Sequence, residues 1–178
     1  VPNEESLVRR AQKNDQEAFA QLYEEHFDKI YRYLALRVGN EMEAEDMTQQ
    51  VFLKALQSIS SFKWKGVPFS AWLFRIAHNQ AVDHLRRKKK RTSVPLDDSL
   101  SGGDSPHTTT ERKMDIEQLK VATKRLTEAQ REVISLRFTS ELSIAQVAKI
   151  MGKSQGAVKA LQHSAIVALR RTMLVTEP

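Results

Sequence analysis

A chain of 178 residues has room for one medium domain or two small ones, and its 40% hydrophobic and 28% charged residues are ordinary for a globular protein. The absence of cysteine excludes disulfides and thiolate metal sites. No apolar run approaches the ~18 residues of a membrane span, and the polar start Val1-Pro2-Asn3-Glu4-Glu5 has none of the marks of a signal peptide, so no membrane segment and a cytoplasmic location are expected.

The net charge of +6 is unevenly spread. Residues 1–91 hold 16 basic and 12 acidic residues, and six of the basic ones form the run Arg86-Arg87-Lys88-Lys89-Lys90-Arg91. Residues 92–113 carry −2 and residues 114–178 carry +4. Two basic zones around an acidic spacer suggest two contacts with a polyanion.

In chain order, Glu17 to Val38 places Phe19, Leu22, Tyr23, Phe27, Ile30 and Leu34 at helical spacing, and Gly39-Asn40 closes the pattern. Glu41 to Ser60 gives a second helix with Ala44, Met47, Val51, Ala55 and Ile59 in one stripe. Its other side is polar, and its first-turn acids suit the helix dipole. Ser60 to Pro68 is a break that also carries Phe62, Lys63, Trp64 and Lys65. A third helix is expected from Phe69 to Lys90, with Phe69, Leu73, Ile76 and Ala77 facing a core. Thr92 to about Glu111 has Pro95, Pro106, Gly102-Gly103 and many Ser and Thr, with no apolar periodicity. A flexible linker over 92–113 is therefore expected. Helices resume from Lys113 to Arg125. Thr127-Glu128-Ala129-Gln130 opens another with a capping box, and Ser143-Ile144-Ala145-Gln146 repeats the device. Met151-Gly152-Lys153 is a tight turn before a last helix capped by Ser154. The fold class is all-α: two small helical domains, 1–91 and 114–178, joined by the linker.

Three constellations carry function. A short helix from Leu142, a turn with Gly152 and a capped second helix make a helix-turn-helix, with Val147, Ile150 and Val158 as its shared core and Ala148 at the close crossing. The second helix of such a motif enters the major groove. Ser154, Gln155, Gly156, Lys159, Gln162 and His163 are its candidate DNA contacts, and the free amides of Ser154–Ala157 could hold a phosphate. The second constellation interleaves aromatic and basic residues over Phe62, Lys63, Trp64 and Lys65. It continues through Arg75, Asn79, Asp83, Arg86 and Arg87. Rings stacking on bases while cations follow the backbone suit single-stranded DNA. Phe69 and part of Trp72 read as core, whereas Trp64 reads as an exposed ring. The third is the polar face of the second helix, Glu45, Asp46, Gln49 and Gln50, which by itself reads as a solvated surface.

No catalytic or metal-binding set emerges. His26, His78, His84, His107 and His163 lack ligand spacing, and no Gly-rich phosphate loop is present. Asp97-Asp98 reads as a solvated turn. The expectation is a protein that is not an enzyme and needs no cofactor.

In order along the chain, four stretches resemble the extracytoplasmic-function (ECF) sigma factors of the sigma-70 family. They are Ala18–Tyr23 with Ile30–Leu34, Ala44–Leu56, Trp72–Arg87, and Leu126–Val133 leading into the helix-turn-helix. The resemblance implies a promoter-specificity subunit for transcription initiation, with region 2 over 1–91 and region 4 over 114–178. It assigns Glu45, Asp46, Gln49, Gln50 and Leu53 to docking on the β′ clamp helices of core RNA polymerase, with region 4 meeting the β flap. The loop Phe62–Pro68 resembles the one that captures a flipped −10 base, and Asn79 falls on the family's Asn in the next helix. Region 4 would read the −35 element as duplex, and the acidic linker residues Asp97, Asp98 and Asp104 would lie near the RNA exit path. Control by an anti-sigma factor is implied as well. Ser164 departs from the pattern, standing where Arg is frequent. Two other classes remain open from the residues alone: a regulator of another kind that binds duplex DNA by itself, and a helical protein-interaction module.

Overall fold

The computed structural model describes residues 3–91 and 121–176. Among these residues the chain is all-helical: α1 (Glu4–Gln12), α2 (Gln16–Val38), α3 (Glu41–Ser58), α4 (Phe69–Arg91), α5 (Glu128–Ser140), α6 (Ile144–Met151) and α7 (Gln155–Thr176). A single 3-10 turn, Ile59–Ser61, follows α3. None of these helices is long and apolar enough to cross a membrane. The spacer expected over 92–113, with Asp97, Asp98 and Asp104, lies outside the described residues, as does most of the helix expected from Lys113.

The helix ends follow their side chains. Asp15 accepts from the amides of Glu17 and Ala18 and so opens α2. Gly39, at φ +75°, closes it in the left-handed region that only Gly enters at little cost. The Asn40 side chain then caps α3. Both sequence-predicted capping boxes are formed: Thr127 with Gln130, and Ser143 with Gln146. Gly152 turns the chain between α6 and α7 at φ +65°.

The helix α1 is an addition to the elements read from sequence. Asn3 caps it, and Leu7, Val8 and Ala11 bury one narrow stripe. Its Gln12 amide donates to the carbonyls of Ile59 (3.0 Å) and Phe62 (2.8 Å), tying α1 to the loop before α4.

The main core is built from Leu22, Ile30, Tyr31, Tyr33, Leu34, Val51, Phe52, Phe69, Leu73 and Phe74, and it continues into Val133, Leu136, Val147, Ala148 and Val158. At about 1.5–3 kcal/mol for each large apolar side chain fully withdrawn from water, such burial is what offsets chain entropy. The two halves, expected as separate domains, therefore share one apolar cluster: α2 packs on α5, and α4 packs on α6. A smaller cluster, Leu126, Ile134, Ala165 and Leu169, belongs to the C-terminal half alone.

Candidate nucleic-acid interface

Three surfaces carry the polar residues singled out by sequence, and one buried cluster stands apart from them. The loop before α4 is braced from within. Phe62, expected among the strand-contacting residues, is instead buried, with ring centroids 5.1 Å from Trp64, 5.8 Å from Phe69 and 5.3 Å from Trp72. Its apolar ring gains more from this aromatic cluster than from solvent. Trp64, expected as an exposed ring, is half-buried against Phe62, and its indole N–H is buried without a partner. The exposed part of the loop is Lys63, Lys65 and Gly66.

Along α4, Arg75, Asn79 and Asp83 are exposed and lie four residues apart, on one face. Arg86 pairs with Asp83 at 2.6 Å, and Arg87 is exposed beyond it. The face is thus a polar strip that becomes strongly basic toward Arg91.

On α3, Asp46, Gln49, Gln50 and Leu53 are exposed and Glu45 is half-buried. Gln49 donates to the Tyr23 hydroxyl at 3.0 Å. Two apolar residues that sequence reasoning passed over stand beside them: Met42 is 57% exposed and Leu56 50%, next to Leu53 at 56%. The signal was their position opposite the buried stripe, on a face that is otherwise polar. Positions 42, 46, 49, 53 and 56 repeat at 3–4 residues, a spacing that fits a helical partner.

The helix-turn-helix presents Ser154, Gln155, Gly156, Lys159 and His163 to solvent. Two of the expected contact groups are already engaged within the chain. The Ser154 hydroxyl accepts from the Ala157 amide at 3.1 Å, so that donor is not open to a phosphate. Gln162 is half-buried and accepts from the Arg137 guanidinium at 2.8 Å, so it braces α7 on α5. Ser164 occupies the departing position, and its hydroxyl accepts from the Gln130 amide at 3.0 Å.

The buried cluster was not read from sequence at all. Glu132 of α5 is buried between the halves. Its Oε1 accepts from the Tyr33 hydroxyl (2.8 Å) and lies 2.6 Å from His78 Nδ1, and its Oε2 pairs with the Arg37 guanidinium. Arg37 also reaches Glu128 at 3.2 Å. Burial pushes the Glu132 carboxyl up, but the His78 hydrogen bond, the Arg37 charge and the Tyr33 hydroxyl outweigh it and hold it below the usual carboxylate range. Burial and the neighbouring Glu132 charge push the Tyr33 phenol well above its ordinary value. The available signal was weak: a lone Arg37 in the apolar run Tyr33–Val38, and Glu132 just before the buried Val133–Leu136.

A model of sigma-70 region 2 matches residues 22–91, and a model of sigma-70 region 4 matches residues 122–171. Together they span more than half of the chain. The chain belongs to the ECF sigma factors of the sigma-70 family. It is 38% identical to the ECF RNA polymerase sigma factor BldN of Streptomyces coelicolor over 94% of its own length, and it spans 64% of that relative. It is 31% identical to the ECF RNA polymerase sigma factor SigW of Bacillus subtilis over 93% of this chain and 94% of that one. A solved structure of CnrH in complex with the cytosolic domain of CnrY shares the fold, with a TM-score of 0.73, 23% identity and coverage of 96% and 97% of the two chains. In this sigma factor the α3 face and the α4 strip both fall in region 2, and the helix-turn-helix falls in region 4. The helix α1 precedes the region 2 match, yet it braces the region 2 loop through Gln12.

Proposed function

We propose that this sigma factor directs core RNA polymerase to promoters by reading the −10 element as melted single strand and the −35 element as duplex. It has no catalysis of its own. The observation that carries the reading is the strip Arg75, Asn79 and Asp83, exposed on α4 directly beyond a loop packed on Phe62, Trp64 and Trp72. An aromatic floor beside exposed amide and guanidinium groups can take an unstacked base and follow its backbone. The exposed start of α7, with Gln155, Lys159 and His163, suits a major groove. The α3 face would dock on the β′ clamp helices through Met42, Leu53 and Leu56, ringed by Asp46, Gln49 and Gln50; region 4 would meet the β flap. Held together on the polymerase, two weak DNA contacts become one strong one through effective concentration. The same proposal includes a cytoplasmic location, region boundaries near 91 and 114 with a linker along the RNA exit path, and restraint by an anti-sigma factor. The family resemblance supports these parts.

The test is to add the full chain to core RNA polymerase with fragmented genomic DNA and sequence the transcripts. Start sites sharing two spaced elements upstream support the reading. No promoter-dependent transcript, together with tight duplex binding by the chain alone, overturns it in favour of an autonomous regulator.

A further inference from the structure

The packing of the two halves on each other is not needed for either DNA contact, and it has a cost for one of them. Gln146, Lys149 and Ile150 of α6 face Gly66, Val67, Ala71, Trp72 and Arg75 across a small cavity of about 60 Å³. The helix-turn-helix therefore stands over the loop end of the strip that is proposed to take the melted strand. The outer surface of α7 stays open, with Ser154, Gln155 and Lys159 exposed. The closure is consequently one-sided: it crowds the single-strand surface and leaves the duplex surface free.

The two halves share an apolar cluster, and the polar part of their closure is concentrated at one point. Across the α2–α5 and α4–α5 contacts the buried hydrogen bonds and ion pairs converge on one carboxylate, Glu132, met by Tyr33, Arg37 and His78. At the rim, Lys29 reaches Glu141 at 3.5 Å, an exposed pair that adds little. An apolar interface slides; a buried charge with three fixed partners has one register and leaves unpaired groups when it opens. We propose that Glu132 is the pin of an autoinhibitory closure in the free chain, holding the helix-turn-helix over the strand-reading surface until another macromolecule separates the halves. The inference rests on the −10 reading for the identity of what is covered, but not for the closure itself.

The chain has no cysteine, so labels can be placed freely. Spin labels at Glu24→Cys and Ala160→Cys, both exposed and away from the pin, report the distance between the halves in the full chain. One narrow, short distance is expected, broadening to longer ones in Glu132→Gln with the helical circular dichroism unchanged. In the same preparations a fluorescent 20-nucleotide mixed-sequence single strand should bind Glu132→Gln about fivefold more tightly, the order expected for one regained base–aromatic stack. Duplex binding should not change. A second route controls the closure directly: in Glu132→Gln, Lys29→Cys with Glu141→Cys, joined by a reducible bis-maleimide, should bind the single strand weakly until the linker is cut. A wide distance distribution in the wild-type chain, or an unchanged one in a folded Glu132→Gln, overturns the pin. Equal single-strand binding before and after cutting the linker overturns the occlusion. Failure of the −10 reading would show elsewhere, as normal open-complex formation by Asn79→Ala.

Discussion

The two halves of the molecule are stabilised differently. The N-terminal half holds every Phe, Tyr and Trp except Phe138, and it buries or half-buries all of them, with Tyr31, Tyr33, Phe69 and Phe74 fully enclosed. The C-terminal half has one aromatic ring, and that ring is 58% exposed. Its private core is Leu126, Ile134, Ala165 and Leu169, while Val133, Leu136 and Val147 pack toward the other half. Small domains bury too little of their surface to be robust. The C-terminal half therefore borrows stability from α2 and α4, with Glu132 as the polar part of that loan. A module that leans on its neighbour is also one that can be detached from it.

The largest effect should come from removing the partner of the buried charge. Arg37→Ala leaves Glu132 enclosed with only Tyr33 and His78, and breaking one side of a buried pair typically costs about 3–5 kcal/mol. Both tryptophans, Trp64 and Trp72, lie in the N-terminal half. Tryptophan emission thus reports that half, whereas far-ultraviolet circular dichroism reports both. In urea, the dichroism of Arg37→Ala should fall before the emission changes. Coincident transitions would mean that the halves unfold as one unit and that neither has a stability of its own.

The next effect separates the two halves by function. Asn79→Ala should weaken open-complex formation on a promoter by about 1–3 kcal/mol, the usual worth of a base-edge contact. Binding of region 4 to duplex −35 DNA should be unchanged. Potassium permanganate footprinting of melted thymines measures the first, and fluorescence anisotropy the second. Equal losses in both would remove the division of labour between the halves.

A smaller effect tests the reserve of each half with the same chemistry. Ser143 caps α6 and Asn40 caps α3, each through one side-chain hydrogen bond to a backbone amide. Replacing either by Ala should cost about 1 kcal/mol. Ser143→Ala should shift the dichroism transition and spare tryptophan emission, while Asn40→Ala should shift both. If Ser143→Ala moves the two probes together, the C-terminal half has no transition of its own.

How legible these features were in the sequence depends on the range of the interactions behind them. Helix periodicity and caps are local, so α2 through α7 could be read where they occur, down to the two capping boxes. The helix α1 escaped because nine residues with only Leu7, Val8 and Ala11 make too short a stripe to stand out. Trp64 looked exposed because its sequence neighbours are lysines, but the ring leans on Phe62. Met42 and Leu56 were hidden by the polar face they interrupt. The Glu132 cluster joins residues as far as 99 positions apart, and nothing in the local pattern of Tyr33 or Arg37 points to α5. Chemistry that lies along one helix was visible, and chemistry assembled between helices was not.

The smallest effect near neutrality, and the only one that grows with acid, concerns the same carboxylate. Four titratable groups face or adjoin Glu132: Tyr33 and Arg37 from α2, His78 from α4, and Glu128 from its own helix. The folded-state pKa of Glu132 lies below the ordinary 4.5. A depressed carboxyl binds fewer protons in the folded chain than in the unfolded one. It therefore contributes stability that is fully present above 4.5 and is lost as pH falls through the depressed value. Closure should accordingly be constant from neutrality down to about pH 5 on this account, and should loosen only below the carboxylate range. In Glu132→Gln this acid step should be missing, because the amide does not titrate. Distances between labels at positions 24 and 160, followed from pH 7 to pH 3, check the sign. A wild-type chain that closes more tightly on acidification, or a Glu132→Gln chain that shows the same acid step, would place the controlling charge elsewhere. Glu4 is the competing origin, since its carboxyl is also held low, chiefly by the His26 hydrogen bond, 2.6 Å away. It ties α1 to α2 within the N-terminal half. Its loss would thus move tryptophan emission without moving the distance between the halves.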